Sequence, residues 1–255
     1  MAKAKKAIEL NKIYNENCLD TLKRMEDDSV DIVITSPPYN MNLRIRNGQY
    51  CSRQIVKELS TKYANFDDNL PIEEYYALHL SVLNELLRVS KVIFYNIQIV
   101  TGSKRPIFKM IGELSDYLKD IIIWDKGNAQ PAMAERVLNR RTELVLVFDK
   151  SNAISRQFDK ANFERGTLDD IWLIKRGKKI HAEHGAVFPE ELVYTILKNF
   201  SDEGDVVYDP FMGTGSTAVV AAKMGRNFIG SELSSEYIKA AENRISDVKN
   251  TLFSL

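Results

Sequence analysis

The 255-residue chain predicts an α/β fold: a Rossmann-like, doubly wound, mostly parallel sheet with helices on both faces and inserted loops. Three observations predict it. Short β-branched apolar runs recur along the chain, helical patterns separate several of them, and a glycine-rich turn follows one of the last runs.

In chain order, the apolar runs are Asp31–Ile34, Lys91–Ile97, Lys119–Trp124, Glu143–Phe148, Asp170–Ile174, Asp205–Tyr208 and Asn227–Ile229. Each is apolar enough for a strand buried on both faces. Ile72–Leu87 has helical spacing behind Pro71. Glu190–Phe200 and Thr217–Met224 do likewise, and Gly225 is placed to cap the latter. Two polar stretches break the alternation and read as inserted loops, 42–68 and 127–141. The whole of 1–255 reads as one domain, long enough to bury a sizeable core.

Composition sets the outer bounds. Hydrophobic residues make up 44% and charged residues 27%, as expected of a soluble globular chain. No apolar run reaches the length of a membrane span. Met1–Lys6 is basic without the apolar core of a signal peptide. Two cysteines, Cys18 and Cys51, imply no disulfide framework, so a cytoplasmic location is expected. The formal net charge is zero, so a nucleic-acid partner must be argued from local patches.

The glycine-rich turn is Asp209-Pro210-Phe211-Met212-Gly213-Thr214-Gly215-Ser216. It follows the strand Val206–Tyr208 and opens a helix. Glycines there allow a ligand close to the backbone, and a helix N-terminus favours an anionic group. Glu232, at the end of the next strand, is placed to accept ribose hydroxyls. The segment lacks the Gly-Lys-Ser/Thr of a P-loop and the full glycine pattern of dinucleotide enzymes. A tight strand-to-helix turn without a ligand is the competing reading.

The second chemical cluster, Thr35-Ser36-Pro37-Pro38-Tyr39, follows the run Asp31–Ile34. An exocyclic amino group of a base is a poor nucleophile because its lone pair is delocalised into the ring. Two acceptors, the Ser36 hydroxyl and the Pro37 carbonyl, can hold both N–H bonds and favour an attack-ready nitrogen. Pro38 stiffens the turn and Tyr39 offers a stacking face. A bland turn punctuated by Pro-Pro competes with this reading. His181 and His184 have no third ligand nearby in sequence, so no metal is expected.

Together the two segments resemble the S-adenosylmethionine-dependent DNA amino-methyltransferases, and the resemblance covers nearly the whole chain. Thr35–Tyr39 resembles the catalytic motif and Asp209–Ser216 the cofactor loop. Asn17 and Cys18 lie in a segment similar to the one that borders the cofactor's adenine. Phe188 and Pro189 resemble the helix start beside its methionine end, although Gly185 stands where the family commonly has proline. The catalytic motif precedes the cofactor loop, which marks the permuted, beta-class order. Ile34-Thr35-Ser36-Pro37-Pro38-Tyr39 is similar to cytosine-N4 enzymes, whereas adenine-N6 enzymes usually carry Asp or Asn at the position of Ser36; both bases stay open.

The resemblance implies double-stranded DNA as partner, with the target base flipped out of the helix. Pairing with a cognate restriction endonuclease and a homodimer are further family analogies. Candidate DNA contacts are Arg44, Arg46 and Arg53, then Arg136, Arg140 and Arg141, then Lys175, Arg176 and Lys178. Any one of them taken alone is more simply a solvated charge. The region 151–180 occupies the place of the family's target-recognition segment.

Overall fold

The computed structural model describes residues 7–41, 43–46, 49–52, 68–130, 135–176 and 188–252. Ten strands and six α-helices alternate through them. The strands are β1 (Lys12–Tyr14), β2 (Val30–Thr35), β3 (Leu43–Arg46), β4 (Gln49–Ser52), β5 (Ser90–Ile97), β6 (Leu118–Gln130), β7 (Arg140–Asp149), β8 (Ile171–Leu173), β9 (Val206–Asp209) and β10 (Asn227–Ser231). The helices are α1 (Cys18–Leu22), α2 (Ile72–Val89), α3 (Lys104–Glu113), α4 (Glu190–Phe200), α5 (Ser216–Lys223) and α6 (Ser235–Leu252).

Eight strands form one sheet in the order β1-β10-β9-β2-β5-β7-β6-β8, and β3 pairs with β4 in a separate hairpin. Within the large sheet, β7 alone among the described strands runs antiparallel to its neighbours. The expected doubly wound, mostly parallel architecture is therefore observed. Its strands read as continuous apolar runs because both faces are covered. Along β7, Val145 and Val147 enter one core while Leu146 and Phe148 enter the other. Helices α4, α5 and α6 cover the first face, and α1, α2 and α3 the second.

The chain leaves β9 through α5 for β10 on one side and leaves β2 through α2 for β5 on the other. Between the C-terminal ends of β9 and β2 the winding reverses. A crevice at such a switch point is where a doubly wound sheet binds its ligand. Thr35 closes β2 and Asp209 closes β9, so both sequence clusters emerge there.

Residues 151–165 run along the opposite edge of the sheet. Lys160 pairs with Asp202 and Asp205, just before β9, and Phe158 and Phe163 pack on Phe200. Of residues 151–176, only those from β8 onward reach the crevice edge; 177–180 lie outside the described residues.

Candidate active site

The crevice encloses about 220 Å³. Its walls bring together Ser36, Pro38 and Tyr39 from the first cluster with Asp209, Pro210, Phe211, Gly213, Thr214 and Ser216 from the second. Asn17, Cys18, Phe188 and Glu232 line it as well. Pro37, Pro189 and Gly215 are not among the lining residues.

Asp209 joins the two clusters. The Thr35 hydroxyl donates to its Oδ1 at 2.7 Å, and the Thr217 hydroxyl donates to Oδ2 at 2.7 Å. The amide of Phe211 donates to Oδ1 at 3.0 Å and fixes the start of the loop. Burial outweighs these donors and pushes the carboxyl up to about 6. A single side chain thus ties the end of β2 to the cofactor-like loop.

The loop continues through Gly213 and Gly215, both in the left-handed region, at φ 52° and 83°. Gly215 caps α5, and a Cβ there would come within 2.6 Å of the Ala241 Cβ. Its role is close packing of α5 on α6 as well as the turn itself. Glu232 accepts from the Gly213 amide at 2.9 Å and from the Ser234 amide at 2.8 Å. Burial raises its carboxyl. Arg244 of α6 donates to the Thr214 carbonyl and reaches Glu190 at 2.7 Å, bracing the loop from behind.

Asn17 caps α1, its Oδ1 accepting from the Leu19 amide at 2.9 Å. Burial pushes the Cys18 thiol up to about 12, so it stays protonated at neutral pH and acts as packing.

Sequence reasoning missed the far wall. Asn96, Trp124 and Glu143 also line the crevice, and Lys126 ties in behind. Glu143 Oε2 accepts from the Tyr39 hydroxyl at 2.8 Å and from Asn96 Nδ2 at 2.8 Å, while Oε1 pairs with Lys126 Nζ at 2.9 Å. The Lys126 and Glu143 side chains are only 2% and 9% exposed. Tyr39 also meets the Ser36 hydroxyl at 2.6 Å and Asn96 Nδ2 at 2.6 Å. From below, Tyr75 of α2 donates to the Pro38 carbonyl at 2.7 Å and sets the Pro-Pro turn. These partners lie on different strands with no local motif, so only the sheet register reveals them.

The basic candidates distribute unevenly. Arg136, Arg140, Lys175 and Arg176 are exposed. Arg141 is engaged by Asp125 through two contacts, at 2.5 and 2.6 Å. Lys175 and Arg176 follow β8, which runs parallel to β6; Arg140 and Arg141 open β7 opposite the end of β6. All four therefore stand at the crevice edge of the sheet. Arg44 and Arg46 belong to β3, with side chains outside the described residues, and Arg53 and Lys178 lie outside the described residues altogether. His181 and His184 do so too. Among the described residues, no group of three His, Cys, Asp or Glu side chains could hold a metal, and no helix is long and apolar enough to cross a membrane.

This geometry agrees with what the chain resembles. It is 26% identical to the Type II methyltransferase M.HinfI of Haemophilus influenzae, over 94% of this chain and 69% of that protein. It is 27% identical to the Type II methyltransferase M.BglII of Bacillus subtilis, over 93% and 69%. Among solved structures, the cytosine-N4-specific PvuII DNA methyltransferase superposes with a TM-score of 0.68 at 19% identity, covering 96% of this chain and 93% of that one. The DNA modification methylase TTHA0409 of Thermus thermophilus, complexed with S-adenosyl-L-methionine, gives 0.61 at 23% identity, with 93% of each chain covered. A family model for N6 and N4 methylases, described as DNA methylase, matches residues 30–243. The chain therefore belongs to the DNA methylase family, whose catalytic-type and cofactor-type segments meet here across one crevice.

Proposed function

We propose that this protein transfers a methyl group from S-adenosylmethionine to the exocyclic amino group of a flipped base in double-stranded DNA, with cytosine N4 as the target. The observation that carries the reading is the crevice at the switch point, which holds Ser36, Pro38 and Tyr39 on one side and the Asp209–Ser216 loop with Glu232 on the other.

The residues fit the donor. Phe211 and Phe188 give apolar walls, and Glu232 presents a carboxylate at the end of β10 where ribose hydroxyls would reach it. Asn17 and Cys18 stand where the adenine would be bordered. When bound, S-adenosylmethionine supplies an electrophilic methyl carbon on a sulfonium. The protein's own part is placement. Ser36 would accept from the amine, Tyr39 would meet the base face, and the walls of the crevice would exclude water.

Cytosine is supported by Ser36, a hydroxyl where adenine-N6 enzymes usually carry Asp or Asn, and by the cytosine-N4 specificity of the PvuII enzyme. Exposed Arg136, Arg140, Lys175 and Arg176 at the crevice edge are assigned to phosphates. Target reading is assigned to the segment that joins β6 to β7 and to residues 171–176. A partner restriction endonuclease belongs to the proposal by analogy with relatives named Type II methyltransferases.

The test incubates the purified protein with labelled S-adenosylmethionine and unmethylated genomic DNA, then digests the DNA to nucleosides for mass spectrometry. N4-methylcytosine is expected. N6-methyladenine would overturn the base. S-adenosylmethionine binding without any methylated nucleoside would favour a catalytically silent DNA-binding relative.

A further inference from the structure

Four neighbouring strands bring one polar residue each to a single cluster at the crevice, with Ser36, Asn96 and Glu143 lining it and Lys126 behind them. Ser36 follows the end of β2, Asn96 lies on β5, Glu143 on β7 and Lys126 on β6. The register explains the meeting: Thr35 pairs with Tyr95, Asn96 with Val145, and Trp124 with Glu143. Asn96 is 1% exposed and Lys126 is 4% exposed, so the cluster is built into the core rather than laid on a surface.

The hydrogen bonds in this cluster have a direction. Every neighbour found at the Glu143 carboxylate is a donor: Lys126 at Oε1, and Asn96 and Tyr39 at Oε2. The Tyr39 hydroxyl has one proton, and it goes to Glu143. Its oxygen must then accept at its 2.6 Å contact with Ser36, so Ser36 is the donor there. Ser36 Oγ is left facing the crevice as an acceptor, with Asn96 Nδ2 at 3.3 Å as a weak second neighbour. The order runs Ser36, Tyr39, Glu143, with Lys126 behind.

We propose that Glu143, paired with Lys126, is the positioning residue that orients Ser36 as an acceptor and receives, through Tyr39, the proton that the target amine must lose. The inference rests on the methyltransferase reading. As the amine attacks, its electron pair forms the N–C bond, the C–S pair stays on sulfur, and the nitrogen becomes cationic. One N–H proton passes to Ser36 Oγ as the Ser36 proton moves to Tyr39 and the Tyr39 proton to Glu143 Oε2. The products are a neutral methylated amine, a neutral thioether and a protonated Glu143. The same relay, run backwards, returns the proton to water once the product has left. A cationic exocyclic amine is a far stronger acid than a carboxylic acid, so the transfer runs downhill.

The experiment compares wild type with Glu143→Gln and with the double variant Glu143→Gln/Lys126→Met. The double variant removes both charges and avoids leaving a buried ammonium uncompensated. Single-turnover methylation of unmethylated genomic DNA at saturating S-adenosylmethionine should fall about 100-fold or more in both variants, the scale of proton-transfer catalysis. Calorimetric affinity for S-adenosylmethionine should be unchanged. Ligand-free protein labelled with [13Cζ]tyrosine supplies a readout independent of turnover. The Tyr39 resonance, assigned through Tyr39→Phe, should move in both variants. A wild-type rate in either variant, or a Tyr39 resonance that stays put, would overturn the relay. A wild type inactive on every DNA would sink the methyltransferase reading instead, and the tyrosine resonance would still decide the direction of the hydrogen bonds.

Discussion

Burial moves the proton affinities of Asp209 and His79 in opposite senses. The Asp209 carboxyl is raised from 3.8 to about 6, and the His79 imidazole is lowered from 6.5 to about 3. For Asp209 the unfolded chain ionises first as pH rises. Its stabilising contribution is complete below about 3.8 and is lost as pH climbs through 6. For His79 the unfolded chain protonates first as pH falls. Its contribution is complete above 6.5 and is lost as pH drops toward 3. Between pH 4 and 6 the two slopes oppose each other, each about 1.4 kcal/mol per pH unit. Asp209→Asn should therefore make stability fall more steeply on acidification than in wild type. His79→Gln should make it fall less. Urea unfolding at pH 4.2 and 5.8 measures both, and parallel curves for wild type and Asp209→Asn would refute the assignment. Asp209 is legible in the sequence as part of the glycine loop. His79 is not, because its burial against Tyr75 and its 2.5 Å contact with Tyr95 arise only once α2 packs on β5. Glu143, Lys126 and Asn96 are hidden because they meet only once β5, β7 and β6 pair.

At the scale of elements, the contact between α5 and α6 is set by one missing Cβ. Gly215 sits at φ 83°, and a methyl group there would meet the Ala241 Cβ at 2.6 Å and its Cα at 3.1 Å. Gly215→Ala should cost about 1–3 kcal/mol, the usual scale of overpacking, with added backbone strain. Adding Ala241→Gly should restore the steric part and leave the strain, so thermal unfolding should show partial rescue. Full rescue would show that the left-handed backbone costs nothing; no rescue would place the clash elsewhere. The helix α5 is readable because small apolar residues follow the glycine turn. By contrast α6 escapes a sequence reading. Its apolar positions Ile238, Ala241, Ile245 and Val248 keep helical spacing, but charged residues fill the gaps. The three-residue β1 escapes it too, because its middle residue, Ile13, is the only buried one of the three. The apolar run of β6 stops at Trp124, yet the strand continues to Gln130, and the extra length is what carries Lys126 to Glu143.

At the scale of the whole molecule, zero net charge makes the distribution of charge decisive. The sheet has a crevice edge and an opposite edge, and some of the basic residues at each are already neutralised within the protein. At the opposite edge, Lys160 is held by Asp202 and Asp205. At the crevice edge, Arg140, Lys175 and Arg176 are exposed and form no ion pair among the described residues. Unpaired cations can exchange counterions for phosphates, whereas a cation already neutralised within the protein contributes little to that exchange. The logarithm of the DNA association constant should fall with the logarithm of salt concentration. The triple variant Arg140→Ala/Lys175→Ala/Arg176→Ala should flatten the slope by roughly 2–3, since each phosphate that loses its cation removes about 0.9. Lys160→Ala should leave the slope where it was. Fluorescence anisotropy with a labelled duplex across a salt series reads both. A triple variant with the wild-type slope would move the DNA to another face of the molecule, and a flattened slope in Lys160→Ala would place it on the edge away from the crevice.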